Sequence, residues 1–286
     1  MANIGLLHPG EMGAAIGAVL VGRGHTVWWA SEDRGASTAR RASEAGLQDS
    51  ATVAELASGS DVVLSVCPPH AALDVARQIA AVGFTGTYVD ANAIAPATTR
   101  EVGTIVEGGG AHFVDGGIVG QPPRTAGRTR LYLSGAGAGD VAALVEGGAL
   151  GVVVLDGGPG AASALKAAYA GWTKGSAALL LTVRALAQAE GVEDALVEEW
   201  ARSQPHLPDQ LRGAAQQATT KGWRWIGEME EIAAALAMNG LPDGFHEASA
   251  EVYRRAPREE TARATDETAE AVLDALREGG KARQTR

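Results

Sequence analysis

Short apolar runs alternate with helix-forming stretches over the first 157 residues, and the alternation stops at Gly160. The runs NIGLL, TVWWA, DVVLSV, TYVDA, HFVDGGIV, RLYLSG and GVVVLD read as strands. Several are apolar throughout, as parallel strands covered on both faces must be. Gly-bearing segments between them (GRGH, ASGSD, GFTG, EGGGAH, GAGAGD, DGGPG) supply the reversals. This order is that of a doubly wound α/β sheet. After Gly160, the segment AASALKAAYAGWTKGSAALLLTVRALAQAEG is helix-forming and nearly apolar all round, so it is expected to be buried on most sides. EDALVEEWARSQ, PDQLRGAAQQATTKGWRWIGEMEEIAAALAMNG and HEASAEVYRRA are also helical by period, with Pro and Gly as punctuation. The expected fold class is α/β, with a doubly wound sheet over residues 1–157 and an all-α domain over residues 158–286. The polar tail after Leu276 is expected to fray.

The first thirty residues carry the clearest chemical signal. NIGLLHPGEMGAAIGAVLVGRGHTVWWAS reads as strand, turn, helix and strand, one βαβ half of a Rossmann nucleotide-binding fold. Gly10 and Gly13 occupy the second and third positions of a G-x-G-x-x-G fingerprint, while His8 stands where the first Gly belongs. The second Gly lets backbone approach a pyrophosphate, and the third lets helix pack close to strand. Pro9, with its fixed φ, is expected to shape the turn in place of the missing Gly. His8, Pro9, Gly10, Glu11 and Met12 are therefore candidate cofactor-loop residues at a helix N-terminus.

Other candidates follow from the strand ends, where α/β sheets bind ligands. Ser31 and Arg34 after the second strand suit a 2′-phosphate and favour NADP (NADPH) over NAD; in the alternative, Glu32 and Asp33 cap the next helix and Arg34 is solvated. Cys67, Pro68 and Pro69 give the third strand an extended exit fit to lie against a flat ring. Cys67 reads as a small space-filling residue rather than a nucleophile, and His70 as a helix-start residue. Asn92 ends another strand, as a partner for the nicotinamide ribose or substrate, or as an ordinary turn residue. The closely spaced Gly residues of FVDGGIVGQPP leave backbone N–H groups open to an anionic substrate group, or make a plain tight turn. Lys166, near the start of an apolar helix, has few reasons to be there unless it meets a partner or substrate. Desolvation would fit it for proton transfer, against the alternative of snorkelling to the surface. Tyr169 lies three residues on, on the same helical face. The Trp223 to Met229 cluster, which includes Glu228, walls a substrate pocket or knits a dimer core, and His246 is a further polar candidate.

Composition narrows the partners. A net charge of −10 argues against nucleic acid or an anionic membrane as primary partner. One cysteine excludes an internal disulfide and a Cys-based zinc cluster, and no metal is expected. The N-terminus runs straight into a strand, unlike a signal peptide, and SAALLLTV is too short to span a bilayer. A soluble cytoplasmic protein is the expectation.

With Gly10, Met12, Gly13, the Pro68-Pro69 strand end, Asn92, the VDGGIVG stretch and Lys166 in this order, the chain resembles the β-hydroxyacid dehydrogenases. These include 3-hydroxyisobutyrate and 6-phosphogluconate dehydrogenases, with imine reductases as relatives. The resemblance implies that Lys166 is the catalytic Lys. The family's Asn four residues later falls on Ala170, and its neighbour on Tyr169. The Ser of its D-x-P-V-S-G-G stretch becomes Val119, and the two Gly become Gly120 and Gln121. The later Lys-Asp pair falls on Gly227 and Glu228. Gly120, Gln121, Tyr169 and Glu228 are thus substrate-binding candidates. The resemblance also implies a homodimer that buries the apolar face of residues 161–189. The expected function is NAD(P)-dependent hydride transfer to or from a small polar hydroxy or carbonyl substrate. The alternatives are an NADPH-dependent imine reductase and a non-catalytic NADPH-binding protein.

Overall fold

The structure, a computed structural model, describes residues 1–284. It divides into two compact units, Met1–Ala167 and a second that begins at Ala168.

In the first unit the elements run β1 (Asn3–Leu7), α1 (Glu11–Gly22), β2 (Thr26–Trp29), α2 (Ala36–Glu44), β3 (Gln48–Asp49), α3 (Val53–Ser58) and β4 (Val62–Ser65). There follow α4 (Ala72–Ala81), β5 (Thr87–Asp90), α5 (Pro96–Gly108), β6 (His112–Val119), β7 (Thr129–Ser134), α6 (Ala138–Val145), β8 (Leu150–Val154) and the start of α7 (Ala161–Ala189). The sheet has the order β3-β2-β1-β4-β5-β6-β7-β8. The chain reverses direction of travel between β1 and β4, so the binding crevice of such a sheet opens beyond their carboxyl ends.

Both faces of the sheet are covered, and the strand alternation shows how. Ile4 and Leu6 of β1, Val62 and Leu64 of β4, Val89 of β5 and Val114 of β6 belong to one buried cluster. Leu7, Val63, Tyr88 and Phe113, one register step away, belong to the other. Gly5 belongs to the second face by this alternation, and a Cβ there would stand 2.3 Å from Leu56 Cδ2, so α3 lies directly on β1.

Two features depart from the sequence expectation. β6 and β7 are antiparallel, with Gly117 opposite Tyr132 and Val119 opposite Arg130. The nine residues between them are too few for a crossover helix, so the chain turns back as a hairpin. The two-residue β3 at the sheet edge is exposed and polar, and no hydrophobic alternation announces it.

The second unit holds the rest of α7, then α8 (Glu193–Ser203), α9 (Leu207–Met238), α10 (Gly244–Arg255) and α11 (Asp266–Gln284). α10 packs on α9: Gly222 makes room for the Tyr253 ring, and Trp225 meets that ring edge-on with centroids 5.1 Å apart. The tail expected to fray from Arg277 is helical to Gln284, and residues 285–286 of that tail lie outside the described residues. Nor is α7 buried on most sides: Trp172, Leu179 and Leu186 are 75%, 57% and 59% exposed. Among the described residues no helix is long and apolar enough to cross a membrane.

Candidate active site

The turn between β1 and α1 is built by His8, not by Pro9. His8 adopts φ +66°, the left-handed conformation in which Gly would be free of strain. Its carbonyl accepts the Gly10 N–H at 2.7 Å, closing the turn. At Gly13 a Cβ would stand 2.7 Å from that same carbonyl, so the third Gly of the fingerprint permits the close helix-strand contact. A Cβ at Gly10 would meet nothing within 4 Å. Gly10 is also the N-cap of α1 and, lacking a side chain, provides no cap for the first-turn N–H groups. α3 is different, because Thr52 and Glu55 close its N-terminus with a capping box. These features fit a nicotinamide dinucleotide with its pyrophosphate at α1. Glu11 and Met12 form the first turn, and Met12 packs in part against the core.

Arg34 lies beyond β2 in a turn whose Arg34 N–H donates to the Ser31 carbonyl at 3.0 Å. Burial, and then the Arg34 charge, hold the His8 imidazole down at about 4, so it is neutral near pH 7. The same guanidinium acts on the Cys67 thiol. The structure thus gathers the ends of β1, β2 and β4. Arg41 on α2 secures this mouth by donating from Nε to the Pro9 carbonyl at 3.3 Å.

The β4 exit is held from β5. Cys67 N–H donates to Asn92 Oδ1 at 2.6 Å, and Asn92 Nδ2 donates to Ser65 Oγ at 3.2 Å and Asp90 Oδ2 at 2.8 Å. Asn92 is 2% exposed and its amide is engaged within the sheet, so its side chain does not reach outward to a ribose or substrate. Its part is to fix the strand end from which Pro68 and Pro69 leave. Burial, then the Asp90 charge, push the Cys67 thiol up to about 12, which leaves no thiolate for nucleophilic work at neutral pH. Pro68 is extended and Pro69 opens a short 3-10 turn that includes His70.

The β6 glycines serve packing rather than anion binding. A Cβ on Gly116 would stand 2.9 Å from the Asp90 carbonyl, and one on Gly117 2.6 Å from the Ala162 carbonyl and 3.1 Å from Lys166 Cβ. Lys166, half-buried, therefore rises from α7 directly over Gly117. Gly120, at φ +122°, begins the hairpin, and a Cβ there would collide with the Arg128 carbonyl. Gln121 is exposed and its carbonyl accepts the Thr129 hydroxyl. Asp115, which the sequence reading did not single out, anchors the start of α7. The signal was available: a lone acid inside an apolar strand, and no capping side chain in Gly158-Pro159-Gly160.

In the second unit Glu228 is 7% exposed and forms an ion pair with Lys174, whose ammonium lies 5.0 Å from the Trp225 ring centroid. Tyr253 Oη donates to the Lys174 carbonyl at 2.6 Å. A carboxylate so enclosed knits α9 to α7, and Glu228 does not stand open to a substrate as expected. Tyr169 is half exposed, and His246 Nε2 lies 3.1 Å from the Gly171 carbonyl. Among the described residues no group of three or more His, Cys, Asp or Glu is placed to hold a metal ion.

Comparison with known proteins places this chain in a family. Residues 2–146 match the NAD binding domain of 6-phosphogluconate dehydrogenase, and residues 187–256 match a domain of unknown function, DUF1932. An uncharacterized 28.5 kDa protein of Methanothermus fervidus is 31% identical over 165 residues, 58% of this chain and 63% of that protein, so the match spans less than two thirds of its length. A conserved hypothetical protein from Sinorhizobium meliloti 1021 is similar in structure, with a TM-score of 0.71 at 25% identity over 96% of this chain and 97% of that one. The 3-hydroxyisobutyrate dehydrogenase of Mycobacterium tuberculosis, solved with L-serine, has the same fold, with a TM-score of 0.71 at 19% identity over 97% of this chain and 99% of that one. The chain belongs to the family of the NAD binding domain of 6-phosphogluconate dehydrogenase, within the β-hydroxyacid dehydrogenase-like superfamily.

Proposed function

We propose that this protein is an NAD(P)-dependent oxidoreductase that interconverts a hydroxyl and a carbonyl on a small polar substrate, with Lys166 as general acid in reduction and general base in oxidation. The observation that carries the reading is the uncapped N-terminus of α1 with open space at Gly10, in a chain that also presents Lys166 over β6. The nicotinamide supplies or accepts the hydride. First-turn N–H groups of α1 take the pyrophosphate, the His8 turn and Arg41 hold that loop in shape, and Pro68 and Pro69 line the ring. Gly120 and Gln121, exposed at the end of β6, are the substrate contacts we propose on this unit. Lys166 gives a proton to the oxygen where negative charge develops, or takes one from the alcohol.

Arg34 beside Ser31 supports NADP over NAD, since a guanidinium matches a phosphate and an acidic ribose ligand does not end β2. Fluorescence titration of the wild-type protein is expected to show tighter binding of NADPH than NADH. Arg34→Ala weakens NADPH by roughly tenfold, about one charge-assisted contact, and leaves NADH nearly unchanged. Equal loss for both cofactors would remove Arg34 from 2′-phosphate recognition.

We further propose that the protein is a homodimer. Trp172, Leu179 and Leu186 recur at seven-residue spacing on α7 and are all exposed, the pattern of a seam that meets another helix. Leu186 also lines a groove of about 600 Å³ with Val252 and Leu276. Leu179→Glu with Leu186→Glu is expected to halve the mass measured by light scattering. An unchanged mass would place the interface elsewhere.

A further inference from the structure

Asp115 lies within β6, fully buried, and shares a sheet face with Gly117 by the two-residue period. Its Oδ2 accepts the backbone N–H groups of Gly160, Ala162 and Ser163 at 2.9, 2.9 and 3.1 Å and the Ser134 hydroxyl at 2.9 Å. Its Oδ1 accepts the Ser163 hydroxyl at 2.6 Å, and Ser163 Oγ accepts the Thr99 hydroxyl of α5 at 2.8 Å. The three N–H groups belong to the opening of α7, where a helix has no carbonyls of its own to offer. A local Ser or Asp would cap the helix equally well. A cap from the middle of a strand does more, because it fixes where along the sheet the helix begins and how it is turned about its axis.

Lys166 stands three residues after Ser163, close to one helical turn. Two residues after Asp115, Gly117 carries no side chain and α7 descends onto the strand there, so the Lys166 stem meets the strand backbone. Asp115 and Gly117 thus act on one face at one spacing, the first holding the helix and the second receiving it.

We propose that Asp115 is the positioning residue for Lys166, setting the lysine over Gly117 by gathering the N-terminal N–H groups of α7 onto β6. The inference rests on the reading of Lys166 as the proton-transferring group. A carboxylate in the strand and a glycine two residues on are both required, and both are buried.

The test separates position from turnover. Limiting acetic anhydride labels the lysines of the folded protein, and mass spectrometry gives the labelling of Lys166 relative to exposed Lys221. Asp115→Ala and Gly117→Ala are expected to change that ratio about fivefold or more, the scale on which small displacements alter reactivity, while NADPH affinity stays within about twofold. Asp115→Asn, which keeps one acceptor oxygen, restores at least half of the change. In turnover, Asp115→Ala lowers kcat by up to about 100-fold with KM little altered. If Asp115→Ala does not fold, Ser163→Ala and Asp115→Asn carry the labelling comparison, since each removes only part of the network. Wild-type labelling of Lys166 in folded variants would overturn the proposal. Full turnover in Lys166→Met would instead overturn the reading of Lys166 as the proton donor, and the labelling ratio would still decide whether Asp115 positions it.

Discussion

Lys166→Met is expected to lower turnover by about 10²- to 10⁴-fold, the usual contribution of a positioned general acid or base. That is roughly 3 to 5 kcal/mol of transition-state stabilisation. Methionine keeps the unbranched stem that packs over Gly117 and removes only the ammonium, so the start of α7 stays seated on β6. NADPH affinity is therefore expected to remain within about twofold of wild type, because the dinucleotide site we propose is at α1 and does not use this lysine. Steady-state kinetics on a screen of hydroxyacids, aldehydes and imines provides the check. Retained activity confined to imines would favour imine reduction, with Lys166 in a packing role and Tyr169 or another polar side chain assisting protonation. Tight NADPH binding with no turnover in wild type would favour the non-catalytic reading.

The second large effect concerns Asp90→Asn and pH. Asp90 is completely buried, and burial raises its carboxyl from the usual 3.8 to about 7; two hydrogen bonds from Asn92 pull it back down in part, and Asp115, its register partner on β6, pushes it further up. Below 3.8 both folded and unfolded chains hold the proton, and the group does not affect stability. Between 3.8 and about 7 the unfolded chain releases the proton while the folded chain keeps it, so stability falls as pH rises through this window. Above it the penalty is complete, at roughly 4 kcal/mol. His8 acts in the opposite sense: its folded value near 4 lies below the ordinary 6.5, so it lowers stability as pH falls between those values. Comparing Asp90→Asn with wild type at each pH cancels the His8 contribution. The variant is expected to gain on wild type by up to about 4 kcal/mol between pH 4 and pH 8, read from urea midpoints. A difference that does not vary with pH would mean that Asp90 is ionised in the folded protein throughout.

Much of the fold could be read from the chain because its strands are buried on both faces and its turns are marked by Gly. All seven anticipated strands occur, and Ala161–Ala189, Glu193–Ser203, Leu207–Met238 and Gly244–Arg255 form the expected helices. β3 escaped because Gln48 and Asp49 carry no hydrophobic signal, and the antiparallel β6–β7 pair because strand direction depends on connection length rather than on side-chain pattern. At the site, local chemistry was legible and long-range chemistry was not. Gly13 could be assigned to helix-strand packing because its partner, His8, is five residues away. The roles of Asp115, Asn92 and Glu228 depend on residues 45 to 48, 25 and 54 positions distant, and a motif cannot display those. His8 illustrates a second limit: the missing Gly was noticed, but Pro9 was expected to compensate, whereas His8 itself bears the left-handed conformation.

Hydride transfer from a nicotinamide, assisted by Lys166, is the step on which the proposed function stands. The most direct measurement follows deuterium from NADPH deuterated at nicotinamide C4 into the reduced product of a carbonyl substrate, by mass spectrometry, in wild type and Lys166→Met. Deuterium is expected on product carbon in wild type, with at least about 100-fold less product per unit time in the variant. NADPH that binds tightly yet gives no deuterated product from any hydroxyacid-related carbonyl, aldehyde or imine would contradict it.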